Sequence, residues 1–128
     1  MYQKNVIATA LLLLFDFAWI AGFMGGKYRE MIPKIQGSEM DAQMQYGAIA
    51  YALMVVGLNL FVLPNIRKGY ELEDSLKYGF TFGVIVYGVY DFTIATVLKN
   101  WDMKLAMADV LWGGFVYFLA SYIATKFE

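Results

Sequence analysis

The chain has 128 residues, of which 60% are hydrophobic and 16% are charged, a composition typical of proteins embedded in a lipid bilayer. Cysteine and histidine are both absent from the sequence, which excludes disulfides, zinc–thiolate sites, thiol nucleophiles and the commonest proton shuttle. The net charge of −1 provides no basic field for nucleic acid, so we expect no nucleic-acid partner.

Four apolar stretches are long enough to cross a hydrocarbon core of about 30 Å. They cover residues 6–24, 46–64, 78–98 and 105–124. Lipid admits only helices and closed barrels, and the alternating pattern of strands is absent from this sequence. The sequence therefore predicts an all-α, polytopic membrane protein: a four-transmembrane-helix bundle that forms a single domain over residues 1–128. We expect an integral, multi-pass location with the lipid bilayer as its surroundings.

The segments between the spans are predicted loops, at residues 25–45, 65–77 and 99–104. Basic residues divide evenly between the two sides of the membrane, so the positive-inside rule leaves the orientation open. In the first loop, Met31, Ile32 and Ile35 have helical spacing around Pro33, which is typical of a short amphipathic segment in the membrane interface. A solvated connection is an equal alternative.

Three acidic residues, Asp16, Asp91 and Asp109, lie within the predicted spans, and no lysine or arginine does. Spans one and three end on the side where span four begins, so a rise of about 1.5 Å per residue puts all three roughly 6–12 Å from one boundary. Charged groups at this depth usually face the interior of a bundle and are functional. The sequence predicts that the three acids share one pocket, which Tyr51 of the second span is placed to join.

The neighbours of these acids along the helices are aromatic or small. An Asp-x-x-Trp sequence places Trp19 beside Asp16 and Trp112 beside Asp109, where an indole can donate a hydrogen bond or shield the acid from lipid. Residues three and four apart share a helix face, which groups Tyr87 with Asp91 and Gly113 with Asp109. Small residues also predict close helix packing, at Gly79 and Gly83 in the third span and at Gly113 and Gly114 in the fourth.

Three acids in low dielectric without a basic partner cannot all be ionised. Either some of them hold protons, or a hard cation such as Na⁺, Ca²⁺ or Mg²⁺ binds to Asp16, Asp91 and Asp109. A third alternative is that a basic loop residue, Lys27, Arg29 or Lys104, pairs with one acid. No cofactor is otherwise required. A purely structural interpretation is that protonated acids make interhelical hydrogen bonds that hold the bundle in register.

The words FDFAWIAG, VYDFTIATVLKNW and MADVLWGG resemble those of a family of small four-helix membrane proteins catalogued as a domain of unknown function. The likeness covers nearly the whole chain. It implies as motif positions Asp16, Trp19, Tyr90, Asp91, Thr93, Asp109, Trp112 and Gly113. An asparagine often follows the threonine in that family, whereas this chain has Ile94. The resemblance supports the fold and the site but names no reaction.

Three functions are consistent with the predicted spans and the three acids within them. The first is proton- or cation-coupled transport or conduction, in which Asp91 and Asp109 exchange protons or bind the ion and Tyr51, Tyr90 and Thr93 supply hydroxyls. A chain this small would then act as a homo-oligomer. The second is an enzyme that acts on a lipid or isoprenoid by Asp acid/base chemistry, with a small lipid-like ligand in an apolar groove lined by Phe15, Phe17, Trp19 and Trp112. The third is a non-catalytic structural membrane subunit.

Overall fold

The computed structural model describes residues 2–127 of the chain. In that part of the chain it contains helices and turns but no β-strand. Four long helices follow one another: α1 (Gln3–Gln36), α2 (Met44–Asn65), α3 (Glu71–Val97) and α4 (Met103–Phe127). Each of them is long and apolar enough to cross a membrane. The predicted all-α class and the four predicted spans are therefore confirmed.

Helix α1 is much longer than its predicted span. Its 34 residues extend about 51 Å at 1.5 Å per residue, well beyond a hydrocarbon core of roughly 30 Å. A π-helical turn over Ile20–Met24 connects its two α-helical parts. The helix ends where Gly37 adopts a φ of 78° and donates its N–H to the carbonyl of Pro33, the usual glycine stop.

The predicted second loop, residues 65–77, is wrong over residues 71–77, which are the first residues of α3. The predicted first loop, residues 25–45, is wrong over residues 25–36, which extend α1 as a helix. The hydrophobic residues of this extension pack against the turn between α3 and α4, around Met31, Trp101 and Ala106. Ile32 and Ile35 lie against the same cluster. The segment is thus helical and amphipathic, as one of the two interpretations held, but part of its apolar face is covered by protein.

Glycines bring α3 and α4 into close contact. A Cβ atom on Gly83 would overlap the backbone carbonyl of Gly113, and one on Gly113 would overlap the ring of Tyr87. At Gly79 a Cβ would lie 3.1 Å from the Tyr117 carbonyl oxygen. Gly83 admits no side chain and Gly79 leaves very little room for one, which confirms the close helix packing predicted at the small residues.

Helix α4 occupies the centre of the bundle. Half of its most apolar stretch is buried, against 17% to 22% for the other three helices. Val116 and Tyr117 of α4 lie in the main core, and the Tyr117 hydroxyl donates to the Met54 carbonyl of α2 at 2.9 Å. The helices around α4 therefore turn much of their surface outward, as expected for a protein whose solvent is lipid.

Helix α2 joins the bundle through only one half of its length. Leu58 and Val62 near its C-terminal end are fully buried, whereas residues 44–50 at its start are all exposed. The α2–α3 connection is held by Arg67, whose Nε and Nη2 donate to the two carboxylate oxygens of Asp74 at 2.9 and 3.1 Å. The hydrogen bond to Asp74 raises the pKa of Arg67 above its ordinary value. The free half of α2 borders an open space that contains the candidate site.

Candidate functional site

The two Asp-x-x-Trp sequences hydrogen-bond to each other across the bundle. Trp19 Nε1 on α1 donates to Asp109 Oδ1 on α4 at 3.1 Å, and Trp112 Nε1 on α4 donates to Asp16 Oδ1 on α1 at 3.2 Å. The two helices run antiparallel, and a three-residue step rises about 4.5 Å. The aspartate of each helix therefore lies level with the tryptophan of the other. Each indole N–H therefore donates to the acid of the opposite helix and not to the acid of its own helix.

The two indole rings stack on one another between α1 and α4. The ring centroids of Trp19 and Trp112 are 4.8 Å apart and their planes are inclined by 8°. Phe23 lies 4.9 Å from Trp19, and Phe115 lies 5.9 Å from Trp112. Stacked rings restrict each other's rotamers, so this aromatic column fixes the direction in which both N–H groups point.

Asp16 is well supplied with hydrogen-bond donors. Its side chain is 2% exposed. The Tyr87 hydroxyl donates to the same Oδ1 atom that accepts from Trp112. The Tyr51 hydroxyl also lies within hydrogen-bonding range of this carboxyl, where the sequence predicted it. Neutral donors from three other helices thus converge on Asp16, and they can hold either a carboxylate or a carboxylic acid there.

Asp91 differs sharply from Asp16. Its side chain is completely buried, and neither of its oxygens has a hydrogen bond of good geometry, although the indole N–H of Trp101 lies near it. The carboxyl group of Asp109 lies within hydrogen-bonding range of it. Two carboxyl groups can bond to each other only when one of them carries a proton. We call Asp91 and Asp109 the acid pair, and a shared proton is the simplest group that satisfies it.

Tyr28 and Tyr90 lie next to the acid pair, on the side where α1 extends beyond its predicted span. Tyr28 and Tyr90 hydrogen-bond to each other through their hydroxyls. The ring of Trp101 contacts both, at centroid distances of 5.9 Å to Tyr28 and 6.4 Å to Tyr90. Tyr28 was not predicted as a site residue because residues 25–45 were predicted to form a polar loop. The helical spacing of Met24, Tyr28, Met31 and Ile35 was the signal that the helix continues.

Two cavities meet at these tyrosines. The smaller one, which we call the vestibule, has a volume of about 340 Å³ and lies beside the start of the α1–α2 loop; it is lined by Tyr28, Ile32, Gln36, Met40, Asp41, Tyr90 and Trp101. The larger one, which we call the groove, has a volume of about 840 Å³. It lies between α1, the free half of α2, and α3, with Asp16, Asp109, Tyr51 and Tyr87 among its lining residues. Tyr28 and Tyr90 line both cavities and therefore separate them.

The other predicted site residues lie elsewhere. Thr93 is exposed on α3 and lines neither cavity. Gly113 is buried against the ring of Tyr87, so it positions a tyrosine and offers no ligand group of its own. Of the four aromatic residues expected to line a groove, Phe17 does so, whereas Phe15, Trp19 and Trp112 do not.

The three acids do not form a cluster among themselves that could hold a metal ion, nor an ion pair with a basic loop residue, in the part of the chain that the structure describes. Within residues 2–127, no group of three or more acidic side chains is arranged to hold a metal ion. Lys27 places its Nζ 5.8 Å from the centre of the Phe23 ring. In the same part of the chain, no ion pair joins Lys27, Arg29 or Lys104 to the three acids.

Comparison with known proteins identifies a family but no activity. No curated protein and no solved structure gives a significant match to the chain. The model of one protein family matches residues 2–126, almost the full length. The resemblance in the three motif segments is thereby confirmed. This chain belongs to the family described as "Predicted membrane protein (DUF2177)".

Proposed function

We propose that this protein moves protons across the membrane, either by conduction or coupled to the movement of a second substance, and that the acid pair is the proton-binding site. One observation carries the proposal: both oxygens of Asp91 are buried without a well-formed hydrogen bond, next to the carboxyl group of Asp109. Buried acceptors without partners are rare, because each one costs about 1–3 kcal/mol. A group that gains and loses a proton accounts for the arrangement.

The hydrogen bonding of Asp16 argues against a purely structural role for the whole set of acids. Tyr87 and Trp112 satisfy Asp16 in the way that a structural polar group is satisfied. If Asp91 served only to hold helices together, well-formed hydrogen bonds like those of Asp16 would be expected at its oxygens. Local rules are most often broken at functional sites, where the cost is offset elsewhere in the fold.

The surrounding cavities supply a route toward the acid pair. The vestibule reaches Tyr28 and Tyr90 from the side of the α1–α2 loop, where Gln36 and Asp41 are exposed. The groove reaches Asp109 from the side of α2. The two tyrosine hydroxyls stand between these spaces and can relay a proton, since each is both a donor and an acceptor. A homo-oligomer that completes the path remains a prediction.

The test is proton flux into liposomes that contain the purified protein and a trapped pH-sensitive dye. With K⁺ and valinomycin present to balance charge, we expect the wild type to collapse an imposed pH gradient faster than protein-free vesicles. Asp91→Asn removes the exchangeable proton and should reduce the rate to that of the protein-free vesicles. Asp102→Asn is the matched control, because Asp102 caps α4 outside the acid pair and asparagine caps a helix equally well.

Two results would overturn the proposal. One is a wild-type rate equal to that of empty vesicles, both alone and with the candidate cargo described below. The other is an Asp91→Asn variant that conducts as well as Asp102→Asn.

A second function, an acid/base enzyme that acts on a lipid, is favoured by one specific observation. The groove has apolar walls, and the residues of α2 that line it, from Met44 to Leu53, are largely exposed to the outside of the bundle. Such an opening lets a lipid enter from the bilayer. This candidate predicts a mass change in a membrane lipid extract incubated with the wild type but not with Asp109→Asn. An unchanged lipid profile in both samples would remove it.

A further inference from the structure

We propose that the groove binds an amphiphile with a hydrocarbon chain and a cationic nitrogen head group, such as a long-chain amine or quaternary ammonium ion. This substance would be the cargo exchanged against the proton of the acid pair, and in that respect the inference rests on the proposed function. Binding itself is a property of the groove and is measurable without transport.

The dimensions of the groove suit a small amphiphile. Its volume of about 840 Å³ lies within the range of roughly 300–1,000 Å³ found for small-molecule sites. One side is formed by the free half of α2, where Gly47, Ala48 and Ala50 present little more than backbone. A helix surface of small residues leaves a smooth channel in which a flexible chain can lie.

The walls of the groove select for a hydrocarbon chain. Phe17 and Ile20 of α1, Leu53 and Met54 of α2, and Val86 of α3 line its length. Phe17, Ile20 and Leu53 are also exposed on the outside of the bundle, so the wall continues onto the surface that faces lipid. A ligand that already lies in the bilayer therefore reaches the groove without crossing water.

The inner end of the groove selects for a positive head group. Asp16 and Asp109 line it, together with the tyrosines at positions 28, 51, 87 and 90, and no basic residue is among the lining residues. Carboxylates attract an ammonium ion, and tyrosine rings stabilise it further by cation–π contact. The same groups repel the carboxylate of a fatty acid and the phosphate of an acidic lipid.

Cation binding and proton binding are linked at Asp109. This residue lines the groove and also belongs to the acid pair. A cation beside a carboxyl group favours its ionised form, so the arrival of the ammonium ion should release the shared proton into solution. The reverse also holds, since coupling between two ligands is reciprocal. Charge is conserved, because one positive ion enters as one proton leaves.

The experiment measures equilibrium binding of radiolabelled decyltrimethylammonium to the purified protein in a non-ionic maltoside detergent, with unlabelled decanol and decanoate as competitors. We expect saturable binding that neither competitor displaces. Asp109→Asn should weaken the affinity at least tenfold. Ala48→Trp, which fills the groove from its exposed α2 side, should weaken it to a similar extent. Val56→Trp is the matched control, because Val56 is exposed on the same helix but does not line the groove.

Each failure points to a different cause. Displacement by decanol or decanoate would overturn the assignment of a cationic head group. An Ala48→Trp variant that binds like Val56→Trp would overturn the groove as the site, and if Ala48→Trp also breaks a dimer, a second copy of the chain covers this surface instead. Intact binding in a protein that moves no protons would leave this inference standing and overturn the proposed function.

Discussion

Two polar regions inside this bundle are built on opposite principles. Toward the start of α1, Asn59 accepts from Asn5 Nδ2 at 2.7 Å and donates to Thr9 Oγ1 at 3.0 Å and to the Val55 carbonyl at 2.8 Å. At the other end of the bundle, Asp91 is more deeply buried and has no hydrogen bond of good geometry. Both regions put polar atoms among apolar helices. Only the first satisfies them with well-formed hydrogen bonds, and the roles proposed for Asn59 and Asp91, structural and proton-binding, rest on that difference.

The largest effect is expected at the contact between α3 and α4, the two helices that carry the acid pair. Asn5, Thr9 and Asn59, which we call the Asn59 region, lie on the other two helices. Gly83→Ala places a Cβ against the Gly113 carbonyl, and backbone atoms cannot move aside. We expect a loss of about 3 kcal/mol in the free energy of unfolding, measured by unfolding in mixed micelles with increasing SDS.

Gly88→Ala is the control for this variant. A Cβ on Gly88 would lie 3.9 Å from Val110 Cγ1, which is ordinary contact, and alanine favours a helix over glycine by up to about 1 kcal/mol. This control should be neutral or stabilising. Equal losses for Gly83→Ala and Gly88→Ala would show that the helices are not as close as described.

The second effect concerns the satisfied region. Asn59→Leu leaves the Asn5 amide and the Thr9 hydroxyl without a partner, and we expect the free energy of unfolding to fall by about 1 kcal/mol. Proton flux per folded molecule should not change. Asn65→Leu is the control, because Asn65 is exposed and its side chain donates only to the Phe61 carbonyl of its own helix. If Asn59→Leu lost proton flux and Asn65→Leu did not, the structural role assigned to Asn59 would be contradicted.

The third prediction concerns Asp91, whose substitution should not lower the free energy of unfolding as that of Asn59 does. Asp91→Asn supplies an amide donor to Asp109, so we expect the free energy of unfolding to stay the same or to rise by up to about 1 kcal/mol. The measurement is the same SDS titration, and Asp91→Ala provides the reference for loss of the whole carboxyl group. A fall as large as that of Asn59→Leu would mean that both regions are structural.

The smallest effect lies in the crossed tryptophan hydrogen bonds. A double-mutant cycle of Trp112→Phe with Asp16→Ala should give a coupling of about 0.6 kcal/mol, the average for interhelical hydrogen bonds in a membrane. The cycle of Trp19→Phe with Asp109→Ala should give a similar value. As a control, Trp19→Phe with Asp16→Ala probes two residues of one helix that do not bond to each other, and it should couple less. Stronger coupling in this control would contradict the crossed arrangement.

The fold was largely predictable from the sequence, and the reason is the bilayer. A helix that crosses the hydrocarbon core must be apolar over about 20 residues, so hydropathy alone located the four helices. The same spans placed Asp16, Asp91 and Asp109 at a similar depth. The error fell outside that slab. Residues 25–36 are polar enough to read as a loop, yet they continue α1 because Met31 packs against Trp101 and Ala106.

Part of the candidate site was predictable for the same reason. Depth placed Tyr51 at the level of the acids, and it is found beside Asp16. Tyr87 was grouped with Asp91 by helical spacing, but its hydroxyl donates to Asp16. The rotation of each helix about its own axis was not predictable, because in lipid all faces of a helix are apolar and small residues alone mark the packed one. Thr93 was expected in the site and is exposed, whereas Tyr28 was not expected there and lines both cavities.

The sequence by itself determined how far along the membrane normal each acid lies, because a helix converts residue number into height at a constant rise. The tertiary structure decided which groups meet at that height. Close packing of α3 and α4 at Gly83 and Gly113 accompanies the placement of Asp91 beside Asp109. The antiparallel arrangement of α1 and α4 lets each indole donate to the acid of the other helix. The depth of each acid follows from the regular geometry of its helix. Its hydrogen-bond partners follow from side-chain packing between helices that are distant in the chain.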